Sequence, residues 1–496
     1  MLSTRRCRIL TPLGATCYTQ RVFAILRSVR VPSFAEVFSP KGSRRVPPPG
    51  GSGDRGPRPD RWGVALLVVL ATAAPVRAEP VTLEDAYRAA LAVNERVKRA
   101  EEGVFQARDE VRRARSFALP SLKLEASYTR SPLEEVDRGG GVSILQARSS
   151  TRGEVILEQS VYSGGRLRAG LRAAARGVDV SRTESGLAKE DLLFDVARAF
   201  YDVLKAKAGV TVLERDVERL TEHRRQADAR VRVGEATRPV LLRAEAELAG
   251  AQANLIRARS DIEIAKDRLD VLTDLGADLD PVEPEMPVVP EIADAEPDVA
   301  IEQRRDIARS AFQEAVADEQ IALARSRFFP SVTLEGRYTR QDQSPQTSFA
   351  IDSTWSAGAR LDFTLFEGLL RVAEWRQAQS RARQVRLDRE RLRKEARLEI
   401  RQAQVNLRVL TAERETLEKQ VAFARENYEL VSKQFAFGLA TNIDALDAAQ
   451  TLGDAEQRLI AATYDRHLAI LALQKSAGVF EIEVPRITLR GIFDAR

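Results

Sequence analysis

Two aspartates near the carboxyl end of the chain, Asp444 and Asp447, have the spacing with the clearest chemical meaning. They lie three residues apart in a stretch of helical character, so both carboxylates project from one face of a helix. Carboxylates held together in this way attract cations, but the same spacing is also common on a helix face that is simply solvated. The pair therefore needs a structural context before it can be given a function.

The residue types that usually carry catalysis or metal binding are scarce in this chain. The two histidines, His223 and His467, stand alone in charged helical stretches, and we expect each to be solvated or packed rather than to bind a metal or act as a base. Both cysteines, Cys7 and Cys17, lie in the leading segment, so residues 18–496 offer no disulfide, thiolate metal site or cysteine nucleophile. No phosphate-binding loop or nucleophile triad is recognisable. The sequence predicts a protein that is not an enzyme and uses no cofactor or metal.

The composition excludes two broad classes. With 30% charged and 44% hydrophobic residues, the chain is neither disordered nor a polytopic helical membrane protein. The formal net charge of +5 comes from the first 61 residues, where Arg and Lys far outnumber Asp and Glu, and the remainder is slightly acidic. A nucleic-acid partner is therefore not expected.

An export signal lies unusually far from the start of the chain. A basic flank ending at Arg61 precedes the apolar run Trp62–Ala74, and small residues then lead to a cleavage site expected after Ala78. The run is too short to span a membrane comfortably. We interpret residues 61–78 as a signal peptide and residues 1–60 as an extension that arises from a translation start placed too early.

An internal duplication organises the rest of the chain. Residues 114–130 match residues 324–340 at ten of seventeen positions with an offset of 210, and residues 233–248 recur as 437–452 with an offset of 204. The six-residue difference falls between the two blocks, in a polar loop, where length changes are tolerated. The predicted domains are a first repeat (79–275), a linker (276–297), a second repeat (298–478) and a tail (479–496).

Each repeat opens with a helix and turns into a strand at a proline. Helices are predicted over about 82–117 and 298–327, and Pro120 and Pro330 mark the helix-to-strand junctions because proline blocks helix continuation.

Two strands per repeat follow, and they are clearest in the second repeat. Apolar and polar residues alternate over 332–338 and again over 355–365, so each strand has one apolar and one polar face. Ten residues is also the length of a tilted strand that crosses a membrane.

Very long helices complete each repeat. The stretches from Gly164 to Gly234 and from Gly368 to Gly438 contain no proline, and about 70 residues at 1.5 Å each give a helix on the order of 100 Å. Such helices need partners alongside them. Return helices are predicted over 239–274 and 443–477.

This order of elements, written twice, resembles the TolC family of outer-membrane efflux proteins. The markers are the paired segments ALPSLKLEASYTR and FFPSVTLEGRYTR and the turns VGEAT and FGLAT, and the likeness covers about residues 80–480. The resemblance implies a mainly α fold with a small β-barrel. It implies a homotrimer in which a twelve-stranded barrel crosses the outer membrane, in contact with its lipid, and the helices form a periplasmic tunnel. It further implies export of solutes delivered by an inner-membrane pump through a periplasmic adaptor protein.

The same resemblance suggests roles for the turns. The two turns look like the periplasmic tips on which family members dock the adaptor, although their residues also serve as ordinary helix punctuation. The glycines allow the left-handed conformation that ends a long helix, and the threonines can cap the next helix. The tip residues are Gly234, Ala236, Thr237, Gly438, Ala440 and Thr441.

In a trimer, Asp444 and Asp447 would form two rings of three carboxylates, similar to the acidic rings at the periplasmic entrance of TolC-like channels, and would favour cations there. The first repeat has Val240 and Arg243 at these positions. A Tyr and an Arg hold the entrance closed in well-known members, and Phe435 and Ala440 stand at the corresponding positions here, so the entrance must close by other contacts.

One rival interpretation is a soluble periplasmic coiled-coil protein, such as an adaptor or a spacer. It explains the long helices and the export signal, but it leaves the four alternating strands without a purpose.

Overall fold

The computed structural model of the chain describes residues 80–132, 134–137, 142–276, 279–290, 297–347 and 350–480. The predicted extension and signal peptide, and the predicted tail from residue 481 onward, lie outside these residues.

The first repeat and the linker contain two long and two shorter helices. The helices and strands of this part are, in chain order, β1 (Pro80–Val81), α1 (Leu83–Val93), α2 (Glu95–Ser116), β2 (Ser121–Arg130), β3 (Glu134–Asp137), β4 (Val142–Gln146), β5 (Ser149–Ser163), α3 (Arg166–Arg232), α4 (Arg238–Thr273) and β6 (Asp280–Pro281). The second repeat contains α5 (Pro297–Ile301), α6 (Arg305–Ser326), β7 (Ser331–Ser344), β8 (Ser353–Asp362), α7 (Leu370–Ala436) and α8 (Asn442–Ser476).

The two repeats have matched dimensions. Helices α2 and α6 are each 22 residues long, and α3 and α7 are each 67 residues long. The hairpin of β3 and β4 lies in the loop between the two main strands of the first repeat, where the extra residues of that repeat fall. The offsets of 210 and 204 therefore relate equivalent elements along both repeats.

The single helix predicted at the start of each repeat is wrong, because both are broken. Between α1 and α2, Asn94 has an extended backbone (ψ 131°) and its side chain accepts a hydrogen bond from the Arg96 backbone nitrogen at 3.0 Å, which caps a new helix. Between α5 and α6, Arg304 is likewise extended (ψ 132°). Its guanidinium donates to Asp306 and Glu399, so a side-chain network replaces the missing helical turn.

Four strands form one antiparallel sheet in the order β2, β5, β7, β8. The central pair joins the repeats, since β5 of the first runs against β7 of the second from Ser149↔Ser344 to Ser163↔Ser331. Strands β2 and β8 are the two edges. Separately, β1 pairs in parallel with β6 and fixes the start of the first repeat to the linker.

The sheet has one apolar and one polar face, as the alternation predicted. Apolar side chains that share a face are exposed on all four strands: Leu122, Leu124, Tyr128, Val155, Leu157, Leu334, Tyr338, Trp355 and Leu361. On the other face, Glu154 accepts from Arg337 at 3.1 Å and Arg360 pairs with Glu335 at 2.7 Å. An exposed apolar sheet face of this size is typical of a surface that another protein or a membrane covers, and the described residues leave it open.

The helices of each repeat pack around a hydrophobic core, and a third, smaller cluster lies between α7 and α8. In the first repeat, the middle of α3 around Phe200 packs on α1, α4 and α8. In the second, the apolar residues of α7 around Ile400 pack on α5, α6 and α8. In the described part of the chain, no helix combines the length and the apolar character that crossing a membrane requires.

Candidate functional site

The two helical turns have the geometry that their glycines predicted. Gly234 and Gly438 adopt φ of +81° and +79°, in the left-handed region. At each turn the residue after the glycine donates its backbone N–H to a carbonyl five residues earlier, Glu235 to Arg230 at 2.9 Å and Leu439 to Gln434 at 2.8 Å. Both long helices therefore end in the same motif, which satisfies their last carbonyls.

The threonines that follow differ in what they cap. Thr237 and Thr441 both precede a return helix with an extended backbone, but only Thr441 makes a side-chain cap. Its hydroxyl accepts from the Asp444 backbone N–H at 3.2 Å, and Asp444 accepts from the Thr441 N–H at 2.9 Å and from its hydroxyl at 2.6 Å. These hydrogen bonds from Thr441 lower the pKa of the Asp444 carboxyl. Asp444 is thus held ionised in a capping box.

Both aspartates are exposed at the start of α8. Asp447 also lines an open groove of about 320 Å³ between α3, α4 and α8, together with Glu247 and Asp454. Arg243, which holds the position of Asp447 in the first repeat, lines the same groove. The second repeat therefore presents carboxylates at the turn where the first presents a cation.

Phe435 and Ala440, which the resemblance aligns with the residues that lock the entrance, differ in exposure. Ala440 is partly exposed, whereas Phe435 is only 3% exposed and is enclosed by side chains of α3. The Arg230 guanidinium lies over the Phe435 ring, 4.4 Å from its centroid, and donates to its carbonyl oxygen. The His223 ring also lies against the Phe435 ring, tilted by 34° with 4.7 Å between the two centroids. Its Nε2 lies 2.7 Å from Oδ1 of Asn442. The first repeat thereby holds the second beside the turn.

A buried ionic network joins the same helices farther from the turn. Glu456 of α8, whose side chain is 7% exposed, accepts from Arg219 of α3 at 3.3 Å and from Arg425 of α7 at 2.8 Å. Arg219 also pairs with Asp216, and burial raises the pKa of the Asp216 carboxyl. Charges removed from water in this way depend on one another.

The two prolines lie where helix becomes strand. Pro120 separates the end of α2 from β2, and Pro330 does the same for α6 and β7. Near the second junction, Gly164 has φ +62° and its Cα packs on the backbone of Ser326, where an added Cβ would lie 2.4 Å from the carbonyl oxygen. Only glycine fits at this contact between the repeats.

Sequence reasoning missed the contacts around Phe435 and Glu456. Arg230 and Phe435 are 205 residues apart, and Arg219 and Glu456 are 237 apart, so no local pattern connects them. The sequence offered one related signal, the two isolated histidines, which were expected to be solvated or packed. In the part of the chain that the structure describes, no group of three His, Cys, Asp or Glu side chains has a geometry suited to a metal ion.

Comparison with known proteins places this geometry in a family. The outer membrane efflux protein family matches residues 86–274 and 297–479, which are the two repeats. The chain is 23% identical over 373 residues to outer membrane protein TolC of Vibrio cholerae, covering 74% of this chain and 83% of that protein. It is 24% identical over 325 residues to outer membrane efflux protein BepC of Brucella suis, covering 65% and 71%.

The fold agrees with a solved structure. The outer membrane protein VceC from Vibrio cholerae superposes with a TM-score of 0.69 at 20% identity, covering 80% of this chain and 97% of that one. This confirms the mainly α fold that the sequence predicted. The family match confirms the predicted location in the outer membrane with helices in the periplasm, and the family is one of channels rather than enzymes. The chain belongs to the outer membrane efflux protein family.

Proposed function

We propose that this chain is one subunit of a homotrimeric efflux channel. Three four-stranded sheets close into a twelve-stranded β-barrel in the outer membrane, and the long helices of three subunits form a tunnel through the periplasm. The channel exports solutes that an inner-membrane pump delivers through a periplasmic adaptor protein. The observation that carries the proposal concerns the four-stranded sheet, in which β5 of the first repeat pairs with β7 of the second. Both edges of this sheet are unpaired, so the same strand pairing can be repeated between subunits.

The open ends are the edge strands β2 and β8. Because β2 is equivalent to β7 and β8 is equivalent to β5, the pairing of β5 with β7 inside the chain has a counterpart in the pairing of β8 with β2 of a second copy. Unpaired backbone groups cost several kcal/mol each in lipid, and closure of the sheet removes them.

The internal pairing also predicts the register between subunits. Inside the chain, Leu157 of β5 lies opposite Gly336 of β7. The offset of 204 takes Leu157 to Leu361, and the offset of 210 takes Gly336 back to Ala126. Both Leu361 and Ala126 are exposed and belong to the apolar face. This register therefore keeps the apolar face continuous, facing lipid, around the closed barrel.

The charges of the helices support the same contact. Inside the chain, Glu190 of α3 pairs with Arg305 of α6. The equivalent positions are Lys394 of α7 and Glu95 of α2, so the two charges are exchanged and remain complementary. Both side chains are exposed in the single chain. An exchanged but still attractive pair is the pattern expected when both positions meet across a subunit interface.

A second pair follows the same rule. Arg172 of α3 pairs with Glu319 of α6 at 2.8 Å, and the equivalent residues are Arg376 of α7 and Asp109 of α2, both exposed. Helix α7 of one subunit would accordingly lie beside α2 of the next, as α3 lies beside α6.

The entrance and the docking tips belong to this proposal. Three copies of α8 would bring Asp444 and Asp447 into two acidic rings at the periplasmic entrance, where they favour cations. The tips that we assign to adaptor docking expose large apolar side chains, with Val233 at 71% and Phe437 at 80% exposure. Exposed apolar patches of this kind are typical of protein interaction sites.

Disulfide crosslinking tests the assembly directly. In a background with Cys7 and Cys17 replaced by serine, the variant that combines Ala126→Cys with Leu361→Cys should form covalent dimers and trimers in isolated outer membranes on oxidation. Directly opposed strand residues have Cα atoms about 5 Å apart, within the reach of a disulfide.

The matched control combines Ala126→Cys with Ala357→Cys. Ala357 lies on the same face of β8 but four residues away, about 13 Å along the strand, and should not crosslink. Crosslinking of the control pair alone, or a monomer in both variants, would contradict the proposed interface. A monomer found only in the soluble periplasmic fraction would favour the coiled-coil alternative.

A further inference from the structure

Both histidines of this 496-residue chain lie at one kind of contact. His223 lies on α3 and faces α7 and α8, and His467 lies on α8 and faces α3. The side chains that titrate between pH 5 and 8 are thus concentrated where the first repeat holds the second.

His223 occupies the contact beside the turn. Its ring stacks on Phe435 of α7, and its Nε2 lies 2.7 Å from the side-chain oxygen of Asn442, the first residue of α8. The guanidinium of Arg230 lies on the same Phe435 ring. A neutral imidazole can donate to Asn442, whereas a protonated one would add a second cation beside Arg230.

The charged and polar groups that face His223 come from the three helices α3, α7 and α8. Helix α3 contributes Arg219, Glu222 and Arg230, α7 contributes Tyr428, and α8 contributes the neutral Asn442. Burial, together with Arg230, lowers the pKa of His223, and the hydrogen bond to Asn442 opposes that shift.

His467 occupies the contact nearer the core. It is 9% exposed, and its ring lies 5.6 Å from that of Tyr201 on α3 and 5.9 Å from that of Tyr464. Its Nδ1 is buried without a hydrogen-bond partner among the described residues, as is the hydroxyl oxygen of Tyr201. A proton added at Nδ1 would therefore place an unpaired charged donor in the aromatic core.

The groups facing His467 are also of both signs. Arg466 lies on its own helix, Arg414 on α7 and Glu283 on the linker. Burial and the two arginines lower the pKa of His467, while Glu283 acts in the opposite direction. Both histidines consequently favour the uncharged form more in the folded contact than in an opened one.

We propose that the contact of α3 with α7 and α8 is an acid-released joint, which uncharged His223 and His467 keep closed at neutral pH and which their protonation loosens. This rests on the proposed channel function in one respect: in the trimer, a loosened joint frees the second-repeat helices at the entrance. The joint itself is a property of the folded chain and can be measured without transport.

The direction of the pH dependence follows from linkage. A histidine whose folded pKa is depressed binds fewer protons when the contact is closed than when it is open. The closed form is therefore fully favoured above the ordinary histidine pKa of 6.5 and loses its advantage as the pH falls below that value. Each pKa unit of depression corresponds to about a tenfold change in the opening equilibrium.

Hydrogen exchange of the purified full-length protein in detergent tests the joint. After correction for intrinsic exchange rates, peptides that cover the turn-proximal parts of α3 and α8 should open several-fold more at about pH 5.5 than at about pH 7.5, either side of the ordinary histidine pKa. His223→Gln keeps a donor to Asn442 but does not titrate, so the pH dependence near the turn should disappear. His467→Phe should remove it around residue 467 in the same way.

Gln226→Ala is the matched control, because Gln226 lies beside His223 in the same crevice and does not titrate. This variant should keep the wild-type pH dependence. The wild-type protein also allows a direct NMR titration of its two imidazoles, which needs no variant to fold. Titration of both at or above the ordinary pKa, or full pH dependence in both histidine variants, would overturn the joint.

Conductance in planar bilayers separates this inference from the proposed function. If both hold, acid should raise the conductance of the wild-type channel and raise that of His223→Gln less. Acid-dependent exchange in a protein that forms no channel would contradict the function and leave the joint standing. Exchange that does not depend on pH would contradict the joint whatever the channel does.

Discussion

The backbone of Gly453 on α8 lies directly against the carboxylate of Asp216 on α3. A Cβ at Gly453 would lie 2.7 Å from Oδ2 and 2.8 Å from Oδ1 of Asp216. Because Asp216 is also paired with Arg219, the glycine lets α8 approach α3 closely enough for the buried ionic network to form. The absence of a side chain at Gly453 thus permits this close approach of α8 to α3.

Gly453→Ala should therefore destabilise the protein, although alanine is the better helix former by about 1 kcal/mol. We expect a net loss of about 1–2 kcal/mol in the free energy of unfolding, because the added methyl displaces the Asp216 carboxylate from its pair. Denaturant unfolding in detergent measures this. Gly250→Ala is the control, since nothing lies within 4 Å of a Cβ there, and it should be neutral or stabilising. Equal effects of the two substitutions would be inconsistent with the close contact.

Removing the carboxylate at the centre of the network should cost more. Glu456→Gln removes one of the two carboxylates that pair with Arg219, whose side chain is 15% exposed, and also the partner of Arg425, and we expect a loss of about 3 kcal/mol. The comparison is Glu418→Gln, whose pair with Arg414 is half exposed, with an expected change of about 0.5 kcal/mol or less. A stability of Glu456→Gln within that smaller range would show that the network does not hold the helices together.

The start of α7 should become more stable with a glycine. Leu369 adopts φ +65° and is 68% exposed, while its equivalent in the first repeat is Gly165 with φ +89°. Leu369→Gly relieves about 1 kcal/mol of strain and loses little buried surface. Gly165→Ala should have the opposite sign. Thermal unfolding of both variants decides the point, and a destabilised Leu369→Gly would mean that the leucine side chain is packed in the assembly.

The carboxylates at the start of α8 should control ion passage. Replacing Asp444 and Asp447 together by alanine should raise single-channel conductance in planar bilayers and weaken block by multivalent cations, because two rings of charge are removed. Unchanged conductance and block would remove them from the entrance. Since Asp444 also completes the cap with Thr441, Thr441→Val is the control that weakens the cap and keeps both charges.

The pH dependence of that cap follows from its hydrogen bonds. Thr441 lowers the pKa of Asp444, so the cap is fully formed above the ordinary value of 3.8 and is lost only as the pH falls through the lowered pKa. The cap should consequently survive the mildly acidic range in which the histidines titrate. A loss of order at the start of α8 that His223→Gln leaves unchanged near pH 5.5 would contradict this separation.

The exchanged charges predict a reversible defect in assembly. Lys394→Glu should weaken the trimer by placing like charges at the proposed contact with Glu95 of the next subunit, and Glu95→Lys added to it should restore the attraction. An exposed pair contributes about 0.2–1 kcal/mol, and the proposed trimer would contain three such contacts. The temperature at which the trimer dissociates on gels is a sufficient measure. Additive losses in the double variant would place these two residues apart.

The sequence by itself determined the long helices, the return helices and the four strands of the main sheet, in their order. The repeated glycines, prolines and apolar periods predicted helices of about 70 residues, which are 67 residues long in the structure, the return helices to within one residue, and a sheet with two different faces. These features follow from local rules, because a proline ends a helix and a glycine allows positive φ wherever they occur. The breaks at Asn94 and Arg304 were missed because both side chains also bond to partners far along the chain, the Leu272 carbonyl and Glu399 respectively, which no local pattern indicates.

The tertiary structure alone decided which side chains meet between the repeats. Nothing local in the sequence indicates that Phe435 is enclosed by Arg230 and His223, or that Asp216 requires Gly453, since these partners lie more than 200 residues apart. The sequence placed Asp444 on a helix face, and the structure added its role in the cap. Local chemistry determines what each segment can form, whereas the long-range packing of α3 against α7 and α8 decides which charges are buried and which histidines can act.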